Sequence, residues 1–314
     1  MTWTGFQSQY ARGSSPSGGE PKYSKEISMR LLNHPSRLSL RLARLLGEFA
    51  LAGLRYMFMV AFRRGCHLSA VRAKWLQQSC RRALRVFNVE VETQGPIPTS
   101  GLLVCNHLSY LDILVLGALA PAAFVAKREV KFWPILGWFA ALAGTVFVDR
   151  RKRTRVGQAT EKIENLLRTR VVTVLFPEGT SSDGRTVLPF KSALLEPATR
   201  SCCALSVGWL GYELEDGNPG EQVCYWKDMT LVPHLLNLLT KRSIQASVLF
   251  AKPQQQSNDR KELARDLQSE VVKLKDRHNA RNGRMGLDRT SALACLQHVD
   301  HRLQHKAERT FVVI

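Results

Sequence analysis

This sequence predicts an α/β fold: a mixed sheet covered by helices and preceded by N-terminal helices that associate with a membrane. Three observations point to it. Seven short apolar runs are separated by turn signals or by helix-patterned stretches, the alternation that builds a sheet with helices on its faces. Apolar residues recur at helical spacing in two segments: Val156, Ala159, Ile163, Leu166 and Leu167, and later Leu263, Leu267, Val271 and Leu274. Near the N-terminus, a strongly apolar segment broken by charges runs into closely spaced arginines.

Taken in order, residues 1–31 read as a disordered leader. Their text "MTWTGFQSQYARGSSPSGGEPKYSK" is rich in Ser, Gly, Pro and Gln, lacks apolar periodicity and shows no signal-peptide pattern. Residues 32–84 read as helices. Within them "LLGEFALAGLRYMFMVAF" carries Glu48 and Arg55, so it falls short of the roughly 20 clean apolar residues that a spanning helix needs. It is expected to lie in the interface, with Arg63, Arg64, Arg72, Arg81, Arg82 and Arg85 as its basic flank towards anionic head groups. A buried core helix with a solvated basic neighbour is the alternative.

Residues 85–278 form the main domain. Its expected strands are "VFNVEVE", "GLLVCN", "AAFVAK", "GTVFVD", "VVTVLFP", "CALSVGWLGY" and "SIQASVLFA". Residues 279–314 are basic, His-containing and weakly patterned, a short appended helix or a loose tail. There His298, His301 and His305 share a helical face, but with no carboxylate or cysteine ligand set beside them they read as a solvated face, so no metal is expected.

Composition narrows the function. With 314 residues and 45% hydrophobic content the chain can bury a proper core. A net charge of +19 and a pI near 10.1 predict attraction to something anionic: nucleic acid, anionic lipid or a phosphorylated substrate. The seven cysteines are odd in number, scattered and without CxxC spacing, which suggests neither a disulfide framework nor a zinc site and fits a reducing, cytosol-facing location.

The stretch "LLVCNHLSYLDILVL" sets Asn106, His107, Ser109 and Asp112 inside an apolar run. "GLLVC" reads as a buried strand, so Asn106 and His107 stand at its carboxyl end, where open α/β sheets bind ligands. Along one continuous helix His107 and Asp112 would lie about 140° apart, and they meet only if His107 sits in the turn before it. There the carboxylate would fix the imidazole tautomer and leave the other ring nitrogen to take a proton. "SYLD" is also an [ST]xx[DE] capping pattern, by which Ser109 and Asp112 merely cap the helix.

Downstream stand "GTVFVDRRKR", "LFPEGTSSDGR" and "LPFKSALLEPA". The ordered combination NHxSxxD, GxxFxxR and FPEGT resembles the glycerolipid acyltransferase family, of the bacterial 1-acylglycerol-3-phosphate acyltransferase type, over roughly Val86 to Lys252. The resemblance implies an α/β domain seated on the cytoplasmic face of a membrane by N-terminal helices. It also implies transfer of an acyl chain from acyl-CoA or acyl carrier protein to a lysolipid hydroxyl, with no other cofactor. By the same resemblance His107 is the general base and Asp112 its partner. Asn106, Ser109, Arg150, Glu178, Gly179 and Thr180 fall to substrate binding, with Arg150 on a phosphate and Glu178–Gly179 at the acceptor. Arg151, Lys152, Arg153 and Arg155 are expected at lipid head groups or in solvent.

The sequence departs from the family where FPEGT is commonly followed by arginine: here stands Ser181. The nearest replacement cations are Arg185 and Lys191. The expected acceptor is 1-acyl-sn-glycerol-3-phosphate, giving phosphatidic acid; the alternative, raised by this departure, is another lysolipid such as lyso-ornithine lipid, since "YWKDMTLVPHL" is similar to a bacterial subgroup that acylates other lysolipids. "FWPILGWFAALAG", Phe132 to Gly144, could line an acyl-chain tunnel, dip into the bilayer or pack in the core, with Trp133 and Trp138 suited to an interface. A serine lipid hydrolase is disfavoured by the lack of GxSxG. A nucleic-acid binder is disfavoured by the lack of any recognition motif or aromatic platform beside "DRRKRTR".

Overall fold

The computed structural model describes residues 35–62, 68–149, 153–200, 203–254 and 257–282. Two long helices lead in, α1 (Pro35–Phe62) and α2 (Leu68–Phe87). Then follow β1 (Val89–Gln94), β2 (Gly101–Cys105), α3 (Leu111–Leu119), β3 (Ala122–Lys127), α4 (Leu136–Leu142), β4 (Val146–Val148), α5 (Arg153–Leu167) and β5 (Val172–Leu175). The chain continues through α6 (Glu196–Arg200), β6 (Leu205–Leu214), α7 (Pro219–Gln222), α8 (Leu231–Thr240) and β7 (Ile244–Ala251), and ends in α9 over 260–282.

All seven strands join one sheet in the order β1-β7-β6-β2-β5-β3-β4. β6 and β7 pair antiparallel and every other neighbouring pair is parallel, so the sheet is mixed as expected. β2 lies at its centre, buried along its whole length. Its side chains alternate between two cores, as the pleat requires: Leu103 and Cys105 join α2 and α3 on one face, Leu102 and Val104 join α5 and α9 on the other. The periodic residues Leu263, Leu267, Val271 and Leu274 are all buried in that second core. "VFNVEVE" starts late as a strand. Val86 and Phe87 still belong to α2, and Asn88, at φ 53°, turns the chain into β1, a conformation Asn tolerates better than most residues.

The α1 helix packs on the domain with one face. Leu45 and Ala52 are buried, Trp75 Nε1 donates to the Ala52 carbonyl at 2.9 Å, and Arg41 donates to the carbonyls of Leu239 and Lys241 at the end of α8. Its other face carries exposed Leu54, Met57 and Phe58. Among the described residues no helix is long and apolar enough to cross a membrane. The Phe132–Gly144 stretch divides between core and surface. Phe139 packs against Phe49 at 4.8 Å and stacks on Trp75 at 5.5 Å, while Trp138 is 79% exposed and Phe132 70%. The leader, most of the C-terminal extension with its three histidines, Arg63 and Arg64 lie outside the described residues. Among those described, Cys80, Cys105 and Cys224 are free thiols, all buried.

Candidate active site

β2, β5, β3, β4 and β6 all point the same way, so their carboxyl ends share one edge of the sheet. At the end of β2, Asn106 extends the pairing with its side chain: Nδ2 donates to the Leu210 carbonyl at 2.9 Å and Oδ1 accepts from the Leu210 N–H at 2.8 Å. Its amide is thereby committed to holding β6 in place. His107 sits in the turn that follows, before α3, and its Nδ1 lies 2.8 Å from Asp112 Oδ2. That oxygen also accepts the N–H groups of Leu108 and Ser109, at 2.7 and 3.0 Å. One carboxylate thus orients the imidazole and also ties down the backbone of the turn that leads into α3, although Tyr110, the N-cap residue of α3, receives no side-chain cap bond. The serine half of the capping pattern is missing, since Ser109 is fully buried and its Oγ has no partner among the described residues.

Asp112 being wholly buried and an acceptor at Nδ1, the imidazole carries its Nδ1 proton towards the carboxylate and keeps Nε2 as the basic nitrogen. Nε2 makes no hydrogen bond among the described residues, and the imidazole side chain is 22% exposed. Phe176, at the end of β5, stacks on the ring at 4.3 Å and fixes its plane. On this edge a positioned base is reachable from outside while its orienting partner is shielded.

β5 delivers the FPEGT loop beside His107. Glu178 is buried, and its two carboxyl oxygens accept the His107 N–H at 3.4 Å and the Leu188 N–H at 3.2 Å. Burial pushes its carboxyl up to about 8, against the pull of those two amides. Gly179 takes φ 68°, where a side chain would strain the turn. Its own N–H donates to the Phe176 carbonyl at 3.1 Å. Thr180 is exposed. Ser181 Oγ donates to the Tyr225 carbonyl, and the Tyr225 N–H donates to the Leu108 carbonyl at 2.8 Å. The "YWKDM" segment therefore braces both the FPEGT loop and the histidine turn. It is itself held by His234, whose Nε2 donates to the Cys224 carbonyl at 3.1 Å, while its Nδ1 accepts from Tyr110 Oη at 3.0 Å. Burial lowers His234 to about 4, which keeps it neutral in this arrangement.

Two cavities open on the domain, one beside the edge strand β4 and one beside the histidine turn. One, of about 800 Å³, runs beside β4 and is lined by Arg72, Arg128, Lys131 and Lys162, with Asp149 ion-paired to Arg128 at 2.9 Å. Arg72 packs over Gly144, and its Nε is buried with no partner among the described residues. The other, of about 500 Å³, is lined by Leu108, Tyr212 and the loop from Asp183 to Arg185. Of the two replacement cations, Arg185 lines this second cavity, with its side chain 81% exposed and 3.5 Å from Asp183. Lys191 is exposed and lines neither. Arg150 lies outside the described residues.

The residue that sequence reasoning missed is Tyr212. It reaches in from β6 and donates to Asp112 Oδ1 at 2.8 Å. Its only signal was its place in an inward-facing register of a strand, which does not distinguish a packing tyrosine from one that binds a carboxylate.

The family described as Acyltransferase matches residues 88–209, the span holding the histidine turn, β4 and the FPEGT loop. A lyso-ornithine lipid O-acyltransferase of Pseudomonas aeruginosa is 35% identical over 75% of this chain and 92% of its own. The chain belongs to the glycerolipid acyltransferase family. A 1-acyl-sn-glycerol-3-phosphate acyltransferase of Neisseria gonorrhoeae is 32% identical over 54% of this acyltransferase and 67% of its own chain. The fold is shared with the crystal structure of the 1-acyl-sn-glycerophosphate acyltransferase PlsC from Thermotoga maritima, at a TM-score of 0.54 and 21% identity, over 79% of the acyltransferase and 98% of that chain.

Proposed function

We propose that this acyltransferase moves a fatty acyl group from acyl-CoA or acyl carrier protein to the free hydroxyl of a lysolipid. The observation that carries the reading is the 2.8 Å contact between His107 Nδ1 and buried Asp112, with Nε2 left to the substrate side. Nε2 takes the hydroxyl proton as the oxygen attacks the thioester carbonyl. The tetrahedral intermediate collapses, the C–S bond breaks, and the thiolate leaves with the proton from the imidazolium. A thioester is already activated, so no covalent acyl-enzyme is needed. The basic cavity beside β4 suits the phosphates of a pantetheine-bearing donor.

For the acceptor, Ser181 favours lyso-ornithine lipid. It stands where the family commonly places an arginine, and its hydroxyl is committed to Tyr225. The Pseudomonas aeruginosa relative, named for that substrate, supports the same reading. The second reading, 1-acyl-sn-glycerol-3-phosphate, rests on the cationic lining beside β4 immediately before Arg150.

Membrane association belongs to the same proposal. The exposed apolar face of α1 and the exposed Phe132, Ile135 and Trp138 form the surface that would rest in an anionic interface on the cytoplasmic side. The test is to incubate purified protein with labelled acyl-CoA and acyl carrier protein donors and a panel of lysolipids. Labelled diacyl product with at least one acceptor is expected. Thioester hydrolysis without product would sink the reading.

A further inference from the structure

The cavity of about 500 Å³ beside the histidine turn falls in the size range of small-ligand sites. Its wall reaches the catalytic pair from both sides: Leu108 is the residue after His107, and Tyr212 is the donor to Asp112. It also gathers the parts of the sequence that the acyl-transfer chemistry leaves unused, the "SSDGR" loop and the "YWKD" segment.

The lining carries both signs of charge. Asp183, Glu213 and Glu221 contribute carboxylates, and Arg185, Lys227 and Lys275 contribute cations. His278, nine-tenths buried against Trp209, lines it too, and its Nδ1 has no partner among the described residues. A phosphate monoester, with two negative charges and none positive, would use only the cationic part of this lining and leave its carboxylates unmatched. It matches a head group that brings a carboxylate and an ammonium a few bonds apart. The ammonium would find Glu221 and the second oxygen of Glu213, whose first accepts from Asn282 at 2.8 Å and lies 3.5 Å from His278, and the carboxylate would find the cationic side.

We propose that this cavity holds the head group of the acceptor and selects a zwitterionic amino-acid head group over a phosphate. The assignment rests on the lysolipid acyl-transfer reading and adds to it the site and the charge pattern that recognise the acceptor. With the head group seated between Leu108 and Glu213, the hydroxyl on its acyl chain is carried towards the His107 side of the turn.

The experiment is steady-state kinetics on the full chain, with one acyl donor and two acceptors: an N-(3-hydroxyacyl)ornithine and 1-acyl-sn-glycerol-3-phosphate. Glu213 and Glu221 are exposed, so Glu213→Gln and Glu221→Gln leave the fold standing, which a melting curve verifies. Losing one charged hydrogen bond should raise KM for the zwitterionic acceptor about 10-fold, with the effect confined to KM. Glu221→Lys should raise it further and lower KM for the phosphate acceptor. Equal shifts for both acceptors, or none for the zwitterion, would overturn the assignment alone. Failure of the unaltered protein to acylate either acceptor would overturn the acyl-transfer reading, and this assignment with it.

Discussion

Tyr212 Oη donates a 2.8 Å hydrogen bond to Asp112 Oδ1, the carboxylate oxygen that faces away from His107. With the three donors on Oδ2, all four hydrogen bonds to this buried side chain come from inside the protein. Such outer partners fix the geometry of the group that orients a catalytic histidine. Tyr212→Phe should therefore lower kcat about 10-fold with KM nearly unchanged. It should also lower stability by about 1–3 kcal/mol, because a buried acceptor loses its donor. Parallel kinetics and denaturant titrations of the variant measure both.

The shared duty of Asp112 separates it from His107. His107→Ala should cut turnover about 10²- to 10⁴-fold, the range for loss of a general base, and cost about 1 kcal/mol of stability as Asp112 Oδ2 loses one of its three donors, with the protein still folding. Asp112→Ala should lose comparable activity and more stability than His107→Ala, since the Leu108 and Ser109 amides and the Tyr212 hydroxyl all lose their buried acceptor. A His107→Ala protein that retains most of its turnover at saturating substrate would leave Asp112 as a tie on the turn alone.

Glu178 makes stability depend on pH in an unusual direction. Its carboxyl is raised to about 8 in the fold, against an ordinary value of 4.5. Between those values the folded chain holds a proton that the unfolded chain has released, so this group's contribution falls as pH rises and is lost above about 8. Denaturation midpoints should drop from pH 6 to pH 9. Glu178→Gln, which cannot ionise, should flatten that drop. An unchanged slope in the variant would place the titration elsewhere.

Ser181 ties the FPEGT loop to the "YWKDM" segment through the Tyr225 carbonyl. Ser181→Ala should raise the acceptor KM several-fold without touching the donor KM, as a loop that forms part of the acceptor site loosens. Ser181→Arg breaks the same tie but adds a cation, so it should shift preference towards a phosphate-bearing acceptor. Competition between two acceptors in one reaction reads the shift directly.

Vesicle flotation tests the apolar surface. Met57→Glu combined with Trp138→Glu puts charges on side chains that are 70% and 79% exposed, and should release protein from anionic vesicles at low salt. Release of the unaltered protein by high salt alone would assign binding to charge rather than to the apolar face.

The seven strands were legible because each is a short apolar run bounded by turn residues, and the last helix because Leu263, Leu267, Val271 and Leu274 keep strict spacing. The meeting of His107 with Asp112 was legible as a condition: both had to flank a helix start, and they do. What could not be read came from distant chain. Tyr212 lies 100 residues from Asp112, and Arg41 lies 198 residues from the Leu239 carbonyl it reaches. No local period encodes either contact. Gly179 was assigned by resemblance to the acceptor site, and the direction of its N–H, which only the closed loop determines, had no signal in the sequence.

The clasp of Arg41 on the end of α8, with Ala52 receiving the Trp75 indole, makes α1 a part of the folded body. The helix that presents an apolar face outward is also one the domain needs for its own closure. Clipping it should therefore not shed an active enzyme into solution. It would strip cover from Trp75 and hand the remainder to the proteases that clear unfolded chains. Abundance of the enzyme would then be set by the integrity of this helix, so that loss of the helix removes catalytic capacity by turnover rather than by inhibition.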